Sequence, residues 1–139
     1  MRYLVATDSV HTSAAACDYL EPRLEPEDVV SLLTVVAPDD GADSEGAPAT
    51  HISGRDAGDA ANVATARLAG VVTVKPISRE GDPSETIRSV VADRGPDVVL
   101  VGLHGGRPGA GPGMGSVAWA VVERSDRPVV VLPLESLDA

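Results

Sequence analysis

Hydrophobic positions along the chain follow two alternating patterns. Five short runs are apolar and rich in β-branched residues almost throughout: Tyr3–Thr7, Val29–Val36, Val71–Ile77, Val98–Gly102 and Val129–Leu132. A run such as Asp97-Val98-Val99-Leu100-Val101 leaves no polar face, which suits a strand covered on both sides in a parallel sheet. Between the runs the spacing becomes helical, first at Ala16, Cys17, Leu20 and Leu24, then at Ala57, Ala61, Ala64 and Leu68. The third helix is marked at both ends. Asp82 is a capping residue, Pro83 suits the first turn, and Glu85 completes a capping-box spacing. Ile87, Val90 and Val91 form its stripe, and Gly95 ends it. A fourth helix carries Val117, Ala118, Val121 and Val122 and stops before Arg127-Pro128.

The predicted order is βαβαβαβαβ. Right-handed crossovers turn that order into an α/β, doubly wound parallel sheet with helices on both faces. Residues 37–54 are polar, acidic and rich in Gly and Pro, and read as a surface loop. No internal repeat or domain boundary interrupts the pattern, and 139 residues fit one domain, 1–139, with room for a proper core.

Composition narrows the function classes. Hydrophobic residues make up 43% of the chain, which excludes a disordered one. No apolar run approaches the roughly 20 residues of a membrane span, and the opening Tyr3-Leu4-Val5-Ala6 has no signal-peptide pattern, so a cytoplasmic location is expected. The lone cysteine, Cys17, reads as a small buried residue. With 21 acidic and 11 basic residues the net charge is −10, and Lys75 is the one lysine. Such a field repels nucleic-acid phosphates over most of the surface. Scarce lysine, abundant carboxylates and small apolar side chains are the composition of a protein adapted to concentrated salt; the alternative is an ordinary acidic protein from a GC-rich genome.

In open α/β sheets ligands sit beyond the carboxyl ends of the strands, where the strand order switches. The segment following the fourth strand runs Gly102-Leu-His-Gly105-Gly-Arg-Pro-Gly-Ala-Gly-Pro-Gly-Met-Gly115-Ser116, with seven glycines in the fourteen residues 102–115. Such a backbone can approach a ligand closely, and it leads into a helix N-terminus, whose free N–H groups and dipole favour an anion. A flexible loop without a ligand is the plainer reading of the same composition. Two other phosphate motifs are excluded: a P-loop needs Lys before its terminal Ser, where Gly115 stands, and the dinucleotide fingerprint needs glycines after the first strand, where Ala6-Thr7-Asp8-Ser9 has none.

Gly102, Gly105, Gly115 and Ser116 fit, without a gap, the pattern G-x2-G-x9-G-[ST], and in this the chain resembles the universal stress proteins. Ala6-Thr7-Asp8-Ser9, Leu32-Leu33-Thr34-Val35, Gly81-Asp82-Pro83 and Pro128-Val-Val-Val extend the resemblance over nearly the whole length. It implies ATP binding, with ADP or AMP sharing the adenosine contacts and Mg²⁺ or Mn²⁺ on the phosphates. It places Ala6 and Asp8 near the adenosine and the Val35 backbone on the adenine edge. Val101, Gly102 and Gly105 would lie by the ribose and phosphates, and Gly115, Ser116 and Val117 would donate to the phosphates. The expected strand order is 3-2-1-4-5, which leaves residues 128–132 at a sheet edge, and a homodimer through that strand is implied. Two departures from the family pattern stand out. Ser9 replaces a common Gly, and the insert 106–114 is rich in Gly and Pro with Arg107 as its one cation.

Other residues carry weaker expectations. Asp8 also suits a helix cap. His104 reads as an exposed imidazole, Trp119 as a packing residue on the fourth helix, and His11, His51 and Cys17 lack metal-ligand spacing. Neither a Ser-His-Asp nor a Cys-His arrangement is suggested. Three functions follow: a nucleotide-binding regulatory protein, a slow ATPase or phosphotransferase working near Ser116, and a nucleotide-free dimeric interaction module.

Overall fold

The computed structural model describes residues 1–36, 54–103 and 115–133. Its elements are β1 (Arg2–Ala6), α1 (Val10–Leu20), a 3-10 turn (Glu21–Arg23), β2 (Val29–Val36), α2 (Gly54–Arg67), β3 (Val74–Glu80), α3 (Pro83–Arg94), β4 (Val98–Gly102), α4 (Ser116–Arg124) and β5 (Val129–Leu132). All strand pairs are parallel, and the order is β3-β2-β1-β4-β5, as expected.

Alternation along the strands sends side chains to two apolar layers. Tyr3 and Val5 of β1, with Val30, Leu32 and Leu100, pack against Ala16, Cys17 and Leu20 of α1 and Ala64 and Leu68 on the α2 side. Leu4, Leu33, Val35, Val99 and Val101 face the opposite way, onto Ile87 and Val90 of α3 and Ala118 and Val121 of α4. Cys17 is buried, as its surroundings in the sequence suggested.

The N-cap, proline and glycine signals at α3 act as read. The Asp82 carboxylate accepts from the Glu85 N–H at 3.0 Å, Pro83 opens the first turn, and Gly95, at φ 58°, donates its N–H to the Val91 carbonyl. Gly81 must be glycine: its φ is 136°, and a Cβ there would stand 3.0 Å from Thr86 Oγ1.

Four boundaries and faces differ from expectation. β3 runs over 74–80, not 71–77, because Val71 and Val72 still donate their N–H groups to the Leu68 carbonyl in the turn that ends α2. The strand then continues through Pro76, Ser78, Arg79 and Glu80, residues suited to an edge. β1 begins and ends one residue early, and Gly54, expected in the loop, opens α2. Trp119 is not a packing residue: it is 56% exposed, and Val122 also faces outward. The loop at 37–53 lies outside the described residues. Among those described, no helix is long and apolar enough to cross a membrane.

Candidate functional site

β1 is the shortest of the three central strands at its carboxyl end, and its ending creates a gap. The ladder with β2 closes where the Thr7 N–H meets the Leu33 carbonyl at 2.9 Å. Peptide groups alternate sides along a strand, so Val35, two residues past Leu33, turns its N–H and C=O the same way, toward the space beyond β1. On the other side Leu103 donates to Leu132 of β5, so its neighbour Gly102 turns its peptide groups toward that same space. This is the switch point of the sheet.

A shallow cleft, open to solvent, occupies the gap. Of the nine expected site residues, eight line it: Ala6, Asp8, Val35, Val101, Gly102, Gly115, Ser116 and Val117. Gly105 lies outside the described residues, as do His104 and Arg107. Leu33, Pro83, Ile87 and Ala118 complete an apolar wall, and Thr7 adds a hydroxyl. Sequence reasoning missed Pro83 and Ile87 as site residues because both already had a role in starting and burying α3. A roomier cleft runs between α3 and α4, but none of the nine lines it and no strand residue borders it.

The N-terminus of α4 borders the cleft. Its cap is Gly115, in an extended conformation at φ −68° and ψ 162°, with no side-chain hydrogen bond to the first turn and no acidic residue in that turn. α1 and α3, by contrast, are capped by Ser9 and Asp82. The Gly115 N–H is tied to the Leu103 carbonyl at 2.7 Å, which fixes the entry of the chain into α4. The first N–H groups of a helix have no partner within it, so the α4 terminus offers donors and a positive dipole end to whatever fills the cleft.

The opposite lip is the β1–α1 turn. Ser9, not Asp8, is the N-cap of α1: its Oγ accepts from the Thr12 N–H at 3.1 Å, in an extended conformation that needs no glycine. Asp8 instead accepts from the Thr12 hydroxyl at 2.8 Å. Thr7 Oγ1 donates to the Ser9 carbonyl and pairs with the buried Ser13 Oγ at 2.9 Å. Asp8 is the one ionisable side chain among the described lining residues. No group of three or more His, Cys, Asp or Glu residues suited to a metal occurs among the described residues.

Universal stress protein UspA from Lactobacillus plantarum matches with a TM-score of 0.72 at 20% identity, covering 95% of this chain and 97% of that one. A universal stress protein in complex with cAMP matches at 0.70 and 20%, covering 97% and 98%. A universal stress protein family protein from Arabidopsis thaliana with AMP bound matches at 0.66 and 15%, covering 97% and 92%. No curated protein matches the chain. The model of the universal stress protein family matches residues 1–133, and the chain belongs to that family.

Proposed function

We propose that the chain, acting as one nucleotide-binding unit over 1–139, binds an adenine nucleotide, ATP above all, in the cleft beyond β1 and serves as a regulatory protein of the stress response. The observation that carries this reading is the meeting, across one gap, of the Val35 and Gly102 peptide groups with the N-terminus of α4, whose Gly115 cap brings no side chain to its first turn. A base between Leu33, Val35, Pro83 and Ile87 would be sandwiched by apolar surface while the Val35 backbone reads its edge. Asp8 and Ala6 then border the adenosine, and Val101, Gly102 and Gly105 flank the ribose and phosphates. Ser116 and Val117 supply N–H and hydroxyl donors to the phosphates, with Mg²⁺ or Mn²⁺ accompanying a triphosphate; Gly115, expected as a third donor, has its N–H held by the Leu103 carbonyl and instead gives the phosphates room to approach. The cAMP and AMP complexes of relatives support the adenine and monophosphate parts of this assignment.

The same fold supports a homodimer. The two edges of the sheet are β3 and β5. β3 carries Lys75, Pro76, Arg79 and Glu80, whereas β5 is Val-Val-Val-Leu. Pairing two β5 strands about a two-fold axis would cover the unguarded edge.

Calorimetric titration with ATP, ADP, AMP and adenosine in molar KCl tests the nucleotide reading, together with nucleotide release from purified protein on acid denaturation. Micromolar or tighter ATP binding is expected. Purified protein that neither releases nucleotide nor takes it up would leave the dimeric interaction module as the better reading.

A further inference from the structure

Five hydroxyl and carboxylate side chains crowd the β1–α1 turn, and their hydrogen bonds have a forced direction. Each hydroxyl carries one proton, and an ionised carboxylate only accepts. Thr12 Oγ1 therefore gives its proton to Asp8 Oδ1, at 2.8 Å. Ser9 Oγ, having accepted from the Thr12 N–H, gives its own proton to Thr12 Oγ1, at 3.2 Å. Thr7 spends its proton on the Ser9 carbonyl, so Ser13 donates to Thr7. Thr12 and Ser13 are wholly buried, at 0% exposure, so water does not compete at these positions. Burying two hydroxyls at the start of a helix costs stability unless they are bonded; here Ser13 is bonded to Thr7, and the Thr12 hydroxyl is bonded to Asp8, the carboxylate of the cleft wall.

We propose that Thr12 is a positioning residue of the nucleotide site: its buried hydroxyl, held by Ser9, fixes the Asp8 carboxylate so that it meets the nucleoside already oriented. The carboxylate accepts a hydrogen bond from an N–H or O–H of the nucleoside, and a pre-set rotamer spares the ligand the ordering of that side chain on binding. Thr12 touches no ligand itself. This inference rests on the nucleotide reading and adds the device that sharpens it.

The test is a double-mutant cycle on the whole chain, with adenosine and ATP as probes. Thr12→Val keeps the branched shape and removes the hydroxyl. It is expected to weaken adenosine and ATP alike, about three- to tenfold, the ordering penalty of one side chain. Thr12→Ser, which restores the hydroxyl, should return affinity to within about twofold of wild type. In an Asp8→Ala background Thr12→Val should change affinity by less than about twofold, since no carboxylate remains to be positioned. A merely structural role predicts equal losses in both backgrounds, and that result overturns the proposal, as does failure of Thr12→Ser to recover binding. Wild-type protein that binds neither probe would instead overturn the nucleotide reading itself, and the inference with it.

Discussion

Gly115→Val puts a branched side chain at the point where the cleft meets the α4 terminus. The backbone itself does not object: φ −68° and ψ 162° suit any residue, and the Gly115 N–H can keep its bond to the Leu103 carbonyl. The folded state loses only the better N-cap preference of glycine, about 1 kcal/mol, or a fall of about 4 °C in Tm. Phosphates pushed away from the Ser116 and Val117 N–H groups would lose two hydrogen bonds to a charged partner. At roughly 1.5–3 kcal/mol each, that is upward of about 100-fold in ATP affinity. Ser116→Ala removes one such bond and should cost roughly 10- to 150-fold, with its melting temperature followed alongside because the helix start is also affected. Calorimetry with ATP and adenosine under one buffer is the assay, since adenosine lacks phosphates and should bind both variants within about threefold of wild type. ATP binding at wild-type strength by both variants refutes the placement of the phosphates. Equal losses of ATP and adenosine would show that the valine had closed the cleft as a whole.

Two further outcomes are expected. Pro128 and Leu132 turn their carbonyls to β4, so Val129 and Val131 turn their peptide groups to the open edge; Val131→Pro removes an outward donor, spares the β4 ladder, and should leave a monomer by light scattering where the wild type is a dimer. Burial pushes the Cys17 thiol up to about 11, so between the ordinary thiol range and that value the unfolded chain releases a proton that the folded chain keeps; stability, complete below that window, should fall as pH rises through it, and Cys17→Ala should flatten that slope in urea titrations at pH 8 to 11.

Element order and layers were legible because they depend on local periodicity, the strand order 3-2-1-4-5 came with the family resemblance, and β2, β4 and β5 fall on the predicted residues. β3 slipped because Val71-Val72 carries a strand composition but serves the end of α2, and the real strand hides its edge character in Pro76, Arg79 and Glu80. Trp119 misled for a reason of geometry. At 100° per residue it stands roughly 130° from the midline of Ala118 and Val121, so the core stripe of α4 excludes it whatever its hydrophobicity. At the candidate site, the glycine motif pointed to the end of the cleft proposed for the phosphates. The place of Val35 at the cleft was expected only through family resemblance, because its exposure there depends on where β1, 29 residues earlier, stops pairing. Thr12 gave no signal at all: a threonine near a helix start reads as cap or surface, and only the long-range packing of α1 buries it.

A chain of net charge −10 proposed to take up a polyanion must solve a problem its composition creates. The described lining holds Asp8 and no lysine or arginine, so the proposed phosphate contacts come from peptide N–H groups at the start of α4 and the Ser116 hydroxyl. Those contacts act over the length of a hydrogen bond, while repulsion between phosphates and the remaining carboxylates acts over longer distances. Salt separates the two, because the Debye length shrinks from about 10 Å at 0.1 M to about 3 Å at 1 M. Screening should therefore remove the repulsion and leave the contacts, and ATP affinity relative to adenosine should rise between 0.1 and 2 M KCl. A phosphate site built from lysines and arginines gives the opposite slope, since salt screens its attraction. The same screening acts on the carboxylates among themselves, and exclusion of salting-out ions strengthens burial of the small side chains, so the melting temperature should climb over that range as well. A flat melting profile would remove adaptation to concentrated salt from the reading. A falling ATP-to-adenosine ratio would mean that cations beyond the described lining, such as Arg107, hold the phosphates instead.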